Sequence, residues 1–210
     1  MRARNLDAAG AVHAPDEASG GSPFSELVGQ IEAASSTEGP VVVVISGFGG
    51  SGKTTLANRL RDHFGLSDRQ VIRGDDLYST NPHGRGLFDL TDWPLLTRIL
   101  EDAQVAERLR YVGRDYRGDA VDVDEQMPHV VIVEGIRLLR SEAMARYDVA
   151  VWINCPHDIA TRRAKARNRE QGESEYEIAL WDTLWGPLDD EYFRTHEPLE
   201  LATFVYETDT

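Results

Sequence analysis

An open, mostly parallel α/β sheet flanked by helices is the architecture this sequence predicts, on three observations. VVVVI (41–45), VVIVE (130–134) and DVAVWIN (148–154) are β-branched runs of the kind that form strands covered on both faces. Stretches of helical period separate them, the alternation expected of crossover connections between parallel strands. The chain of 210 residues is also the right size for one sizeable core.

Taken in order, residues 1–21 are rich in Ala, Gly, Asp and Glu and hold almost nothing to bury, so a disordered leader is expected there and a single domain over 22–210. Ser22 supplies an N-cap and Pro23 suits the first helical position. Phe24, Leu27, Val28 and Ile31 recur at helical spacing, which predicts a short amphipathic helix to about Ala34. SSTEGP (35–40) breaks it before the first strand. A helix over 53–64 closes at Gly65, a short strand follows at 70–73, a polar loop runs through NPHGRG (81–86), and another helix fits 92–107. Residues 108–125 alternate on two arms about a turn near Arg117 and Gly118, the pattern of a hairpin. After the two later buried strands, Pro156 opens a basic helix. Ser174 and Glu177 have the capping-box spacing ahead of another helix, and LATFVYE (201–207) closes as a strand.

Charge and composition exclude several classes. Thirty-six acidic against twenty-two basic residues leave a net charge of −14, which repels phosphate backbones and anionic lipid over most of the surface. No nucleic-acid or membrane partner is expected. The apolar run at 41–45 is far short of the ~20 residues a spanning helix needs. Arg2 and Arg4 are followed by Asn5, Asp7, Gly10 and His13, which interrupt any signal-peptide core. The single Cys155 forms no internal disulfide, and the six histidines lack metal-ligand spacing, so a reducing, cytoplasmic setting without structural zinc is expected.

Between the first strand and its helix lies Gly47-Phe48-Gly49-Gly50-Ser51-Gly52-Lys53-Thr54, which satisfies GxxxxGK[ST] with the strand and helix flanks that the pattern requires. Its glycines let backbone N–H groups curl around a phosphate, and the helix N-terminus adds partial positive charge. Lys53 is expected on the β- and γ-phosphates, the Thr54 hydroxyl on Mg²⁺ and Thr55 near the α-phosphate. Lys53 and Lys165 are the only lysines, and a compact ammonium fits between phosphates where a planar guanidinium does not. Neither an NKxD guanine motif nor an LSGGQ-like signature occurs, which sets aside a GTPase switch and a transporter ATPase.

Asp75 and Asp76 follow the second strand, at the carboxyl end where parallel sheets place ligands. A carboxylate there can orient an acceptor hydroxyl and take its proton; on extended backbone only one of the pair faces the substrate. A solvated turn is the alternative. Glu134 closes VVIVE, a place from which an acid reaches Mg²⁺, directly or through water. Arg162, Arg163, Lys165, Arg167 and Arg169 crowd into one stretch of an acidic chain. On a helix Arg162, Lys165 and Arg169 share one side and Arg163 and Arg167 another, a layout for a phosphate-clamping lid or for a solvated basic helix.

These segments together resemble the uridine kinase and phosphoribulokinase group of P-loop small-molecule kinases over about residues 41–207. SGFGGSGKTTLA resembles that group's phosphate loop, VIRGDDLYS its second strand, VVIVEGIRLL its third-strand VEG motif, and DVAVWINCPHDIATRRAKARNREQG its fourth strand and arginine-rich lid. The resemblance implies a five-stranded parallel sheet in the order 2-3-1-4-5 with a hairpin insertion at about 108–124 and a lid at about 160–175. It implies ATP- and Mg²⁺-dependent transfer of the γ-phosphoryl group to a hydroxyl of a small molecule, with a uridine-like nucleoside first. The site it implies has Asp75 as base and as a neighbour of the metal, Glu134 and Thr54 as Mg²⁺ partners, and Arg162, Arg163, Arg167 and Arg169 as lid arginines. Gly47, Gly49, Gly50, Ser51, Gly52, Lys53, Thr54 and Thr55 would hold the nucleotide. Asn168 stands where the family's lid commonly has Asp.

Candidate acceptor contacts are Asp76, Tyr78, Asp89, Asp115 and Tyr116, with Phe88, Trp93 and Tyr111 as further aromatics whose competing role is core packing. Trp181, Trp185 and Tyr192 read as core or lid packing. The hairpin keeps only Arg114-Asp115-Tyr116 of the Tyr-Asp-Phe, His and Arg that uridine kinases carry there. A non-nucleoside metabolite or an antibiotic as acceptor, or a regulatory protein that senses nucleotide, therefore stay open beside the nucleoside, as does a homo-oligomer.

Overall fold

The computed structural model describes residues 21–35, 39–79 and 90–208. The expected leader, apart from Gly21, lies outside the described residues, as do the NPHGRG loop, Phe88 and Asp89.

Seven strands number along the chain: β1 (Val41–Ser46), β2 (Val71–Arg73), β3 (Arg108–Arg114), β4 (Ala120–Gln126), β5 (Val130–Glu134), β6 (Val149–Asn154) and β7 (Phe204–Glu207). Five of them form one parallel sheet in the order β2-β5-β1-β6-β7, while β3 and β4 pair separately as an antiparallel hairpin. With the hairpin set aside this is the expected 2-3-1-4-5 order. β1 is central, with Val43 opposite Ile132 on one side and Val149 on the other. Every residue of β1 and β5 is buried, which is why both read as unbroken apolar runs rather than alternating ones. Each of their aliphatic side chains contributes about 2 kcal/mol by leaving water.

Helix α1 (Pro23–Ala34) begins where Ser22 accepts the Ser25 N–H, and buries Leu27, Val28 and Ile31 against β1, β6 and β7. Helix α2 (Lys53–His63) leaves β1 through the glycine-rich loop and packs on β1 and β5. Helix α3 (Trp93–Ala103), capped by Asp92, ends short of the 92–107 expected. Val105, just beyond it, is 86% exposed, so another turn would have had nothing to pack on. Gln70 sits in a 3₁₀ turn (Asp68–Gln70) ahead of β2 rather than in the strand.

The basic helix α4 (His157–Glu170) follows Pro156 as expected, and Ser174 and Glu177 make the capping box that opens α5 (Glu175–Leu180). From there one continuous helix gives way to a π-helical turn (Trp181–Trp185) and α6 (Gly186–His196). Pro187 removes an N–H, and a widened turn absorbs the missing bond. Leu201, expected to begin the last strand, instead ends α7 (Pro198–Leu201), which has Pro198 at its first position, and β7 starts only at Phe204.

The hairpin turns through Gly118 (φ 87°), with the Asp115 carboxylate accepting the N–H groups of Arg117 and Asp119 at 2.9 Å each. It is fastened to the chain leaving β2: the Tyr78 N–H donates to the Arg114 carbonyl at 2.8 Å, and Leu77 bridges to Arg114. Among the described residues no helix is long and apolar enough to cross a membrane.

Candidate active site

The loop from Gly47 to Gly52 joins β1 to α2 with two glycines, Gly50 and Gly52, at φ 84° and 106°, where side-chain-bearing residues are strained. At Gly52 a Cβ would meet only open space, while at Gly50 it would collide with the Ala160 carbonyl oxygen of α4. The loop is thus open on one side and covered on the other by the basic helix, whose Ala160 and Ala164 are small enough to admit the close approach. A Cβ on Gly49 would collide with the Trp181 ring of the π-helical turn, so that indole also covers the loop. The Ser51 hydroxyl is fully buried and finds no protein partner among the described residues. A buried, unpaired hydroxyl in a glycine-rich loop that is open at Gly52 is the environment a phosphate satisfies, so the loop fits a nucleotide's phosphate chain.

Lys53 is buried, and its ammonium donates to the Phe48 carbonyl at 2.9 Å. Burial pushes it below the ordinary lysine value of 10.5, while the charges of Glu134, Asp189 and Asp75 favour its protonated form and that of Arg167 opposes it. The charges of three carboxylates on three elements therefore act on one lysine. Thr54 donates its hydroxyl proton to Glu134 Oε1 at 3.1 Å, so the two oxygens expected around Mg²⁺ stand side by side. A hydroxyl and a carboxylate are the hard oxygen donors Mg²⁺ takes, with the remaining positions left to phosphate and water, and the pair fits that ion. Glu134 is also approached by the Arg73 guanidinium at 3.4 Å, which in turn binds Asp68 at 2.7 Å.

Asp75 and Asp76 lie in a 3₁₀ turn (Gly74–Asp76), not on the extended backbone expected. They nonetheless part ways. Asp75 lines a cleft with Gly74, Tyr78, Thr91, Ile136 and Arg137, and its charge reaches Lys53. Asp76 faces a cavity of about 310 Å³ between β2 and the hairpin, together with Arg73 and Tyr111. Burial raises the Asp76 carboxyl above its ordinary 3.8, and burial pushes the Tyr78 phenol up to about 12. Tyr116 is exposed at the hairpin turn, its ring 6.5 Å from that of Tyr78, whereas the Asp115 carboxylate is engaged in the turn itself. Tyr111 is core, and Trp93 lies beneath the Arg140 guanidinium.

The basic helix divides as its spacing requires. Arg167 acts on Lys53, and Arg163 reaches the Cys155 sulfur at 3.7 Å. Arg162, Lys165 and Arg169 line a separate groove of about 560 Å³ with His157, Trp181 and Asp190, and no residue of the phosphate loop borders it. Lys165 is paired there with Asp182. The structure thus turns Arg162 and Arg169 to a groove away from the loop, while Arg167, on another side of α4, adds charge that reaches Lys53.

Sequence reading missed two residues at this centre. Asp189 of α6 is buried, accepts the Gly49 N–H at 3.3 Å and receives the Arg137 guanidinium at 2.8 and 3.1 Å. Nothing local marks Asp189, since its partner stands 52 residues away. Arg137, just past the VEG motif, was within sight.

A glycine-rich phosphate loop after the central strand of a 2-3-1-4-5 parallel sheet, with a lysine and a strand-end acid beside it, defines a P-loop nucleotide-binding protein. A family model described as an AAA domain matches residues 43–180. The chain is 30% identical over 151 residues to a uridine kinase of Geobacillus kaustophilus, covering 64% of this chain and 71% of that protein. The fold matches that of a candidate fructose transport system kinase from Silicibacter, at 21% identity and a TM-score of 0.65 over 89% of this chain and 98% of that one. It also matches a candidate uridine kinase from Bacillus stearothermophilus, at 22% identity and a TM-score of 0.58 over 86% and 99% of the two chains. The chain belongs to the uridine kinase-like family of P-loop small-molecule kinases.

Proposed function

We propose that this kinase transfers the γ-phosphoryl group of ATP, with Mg²⁺, to a hydroxyl of a small molecule in the cytoplasm, a nucleoside being the first candidate. The observation that carries the reading is the convergence of Lys53, the Thr54–Glu134 pair and Asp75 at the carboxyl ends of adjacent parallel strands. In this reading the loop amides, the Ser51 hydroxyl and Lys53 bind the phosphate chain, and Lys53 leaves the Phe48 carbonyl to do so. Thr54 and Glu134 hold Mg²⁺, which would neutralise charge between the β- and γ-phosphates. Asp75 orients the acceptor hydroxyl and takes its proton as the oxygen–phosphorus bond forms, and ADP leaves. Arg167 adds positive charge from the lid side.

A hydroxylated sugar is the second acceptor class. Two observations favour it: the Asp115 carboxylate is spent within the hairpin turn instead of reaching an acceptor, and the Silicibacter fold relative is described as a candidate fructose transport system kinase. An ADP-release assay with ATP and Mg²⁺ against nucleosides, sugars, vitamins and hydroxylated antibiotics tests the proposal, with Asp75→Asn as control. One acceptor is expected to stimulate release, with turnover falling by about three or more powers of ten in Asp75→Asn while ATP still binds, and Lys53→Ala is expected to lose both turnover and nucleotide affinity. Slow hydrolysis that no acceptor stimulates and that Asp75→Asn leaves unchanged would instead indicate a nucleotide sensor.

A further inference from the structure

The phosphate loop carries a carboxylate on one of its own amides. Asp189 is 3% exposed and accepts the Gly49 N–H at 3.3 Å, and its charge also falls on Lys53. A buried anion at this place works against a polyphosphate in the same loop unless a cation cancels it. That cation is Arg137, itself 4% exposed, which places Nε and Nη2 on Asp189 Oδ1 at 3.1 and 2.8 Å. Arg137 does so from a left-handed backbone conformation, φ 57°, that residues with side chains rarely adopt. Such strain persists where the surroundings hold it in place, and here they include the cleft that Arg137 shares with Asp75 and Tyr78. One chain of contacts therefore runs from that cleft through Arg137 and Asp189 to the Gly49 amide.

We propose that Arg137 is a positioning residue that neutralises Asp189, so that Asp189 ties α6 to the phosphate loop without repelling the nucleotide's phosphates, and that joins the loop to the cleft beside Asp75. The proposal rests on the functional reading above for the anionic ligand. The pair is more than a structural brace, because its two members act on nucleotide affinity in opposite directions. Loss of Arg137 removes the cation that offsets the carboxylate on the loop, and loss of the Asp189 charge removes that anion from beside the bound phosphates.

Calorimetric titration with a non-hydrolysable ATP analogue and Mg²⁺ reads this directly, independently of any acceptor, with thermal melts recorded for every variant. Arg137→Met is expected to weaken binding about tenfold or more, and adding Asp189→Asn to it is expected to restore most of the loss. Asp189→Asn alone keeps an oxygen acceptor for Gly49 and is expected to bind about threefold or more tightly than the unaltered protein, a result that stands even if Arg137→Met does not fold. Weaker binding by Asp189→Asn, or a double variant as weak as Arg137→Met, would overturn the role of Arg137. Failure of the unaltered protein to bind the analogue would overturn the functional reading itself.

Discussion

Two neighbouring aspartates take different surroundings because a 3₁₀ turn aims them into different spaces. Asp75 is exposed in a cleft whose charge reaches Lys53, whereas Asp76 is half-buried under the hairpin beside Tyr111. Burial is the largest influence on Asp76, and Asp75 and Asp115 add to it while Arg73 opposes it. Its folded pKa is therefore raised, so the folded state holds the proton more tightly than the unfolded chain does. The stabilisation this brings is fully present below the unfolded value near 3.8 and is lost as pH rises through the folded value. At pH 7 the ionised group is a burden. Asp76→Asn is expected to raise the melting temperature at pH 7 and to lose that gain near pH 3.5, which paired thermal melts would check; equal shifts at both pH values would refute it.

At the scale of elements, the side proposed to take the acceptor is held by backbone contact between the hairpin and the turn after β2. Gly113 of β3 lies so close that a Cβ there would collide with the Asp76 carbonyl oxygen. Backbone cannot yield as a flexible side chain can, so Gly113→Ala is expected to push β3 away from the 74–78 segment. The measured consequence is a raised KM for the acceptor, with nucleotide affinity within about twofold of the original, because the phosphate loop lies on another element. Equal loss of both would show that the hairpin and loop move as one. The basic helix obeys the same logic: Ala160 and Ala164 let α4 rest on Gly50, so the helix's small residues, not its arginines, set the distance to the loop.

Over the whole molecule, the net charge of −14 produces self-repulsion that compaction increases. Salt screens it, with a Debye length of about 8 Å at physiological ionic strength. The melting temperature is expected to rise between about 10 and 150 mM NaCl, and a fall would mean that the ion pairs of Arg61, Arg73 and Arg108 outweigh the repulsion.

Much of this kinase was legible along the chain because its signals are local. Residues 41–45 and 130–134 are buried on both faces, and a parallel central strand so placed must read as an apolar run. GFGGSGKT marks a phosphate loop by itself, since backbone amides do the binding and glycine is the residue that frees them. Caps at Ser22 and Ser174 reflect hydrogen bonds that span three residues. What the tertiary structure alone decided is what depends on distant partners. Helix α3 stopped where nothing remained to pack on, and the residues before β7 curled into α7. Arg162 and Arg169 were turned to another groove by the side of α4 that carries Ala160 and Ala164. Asp189 meets the phosphate loop while paired with Arg137, 52 residues earlier, and no periodicity or spacing records a pairing between residues that only folding brings together.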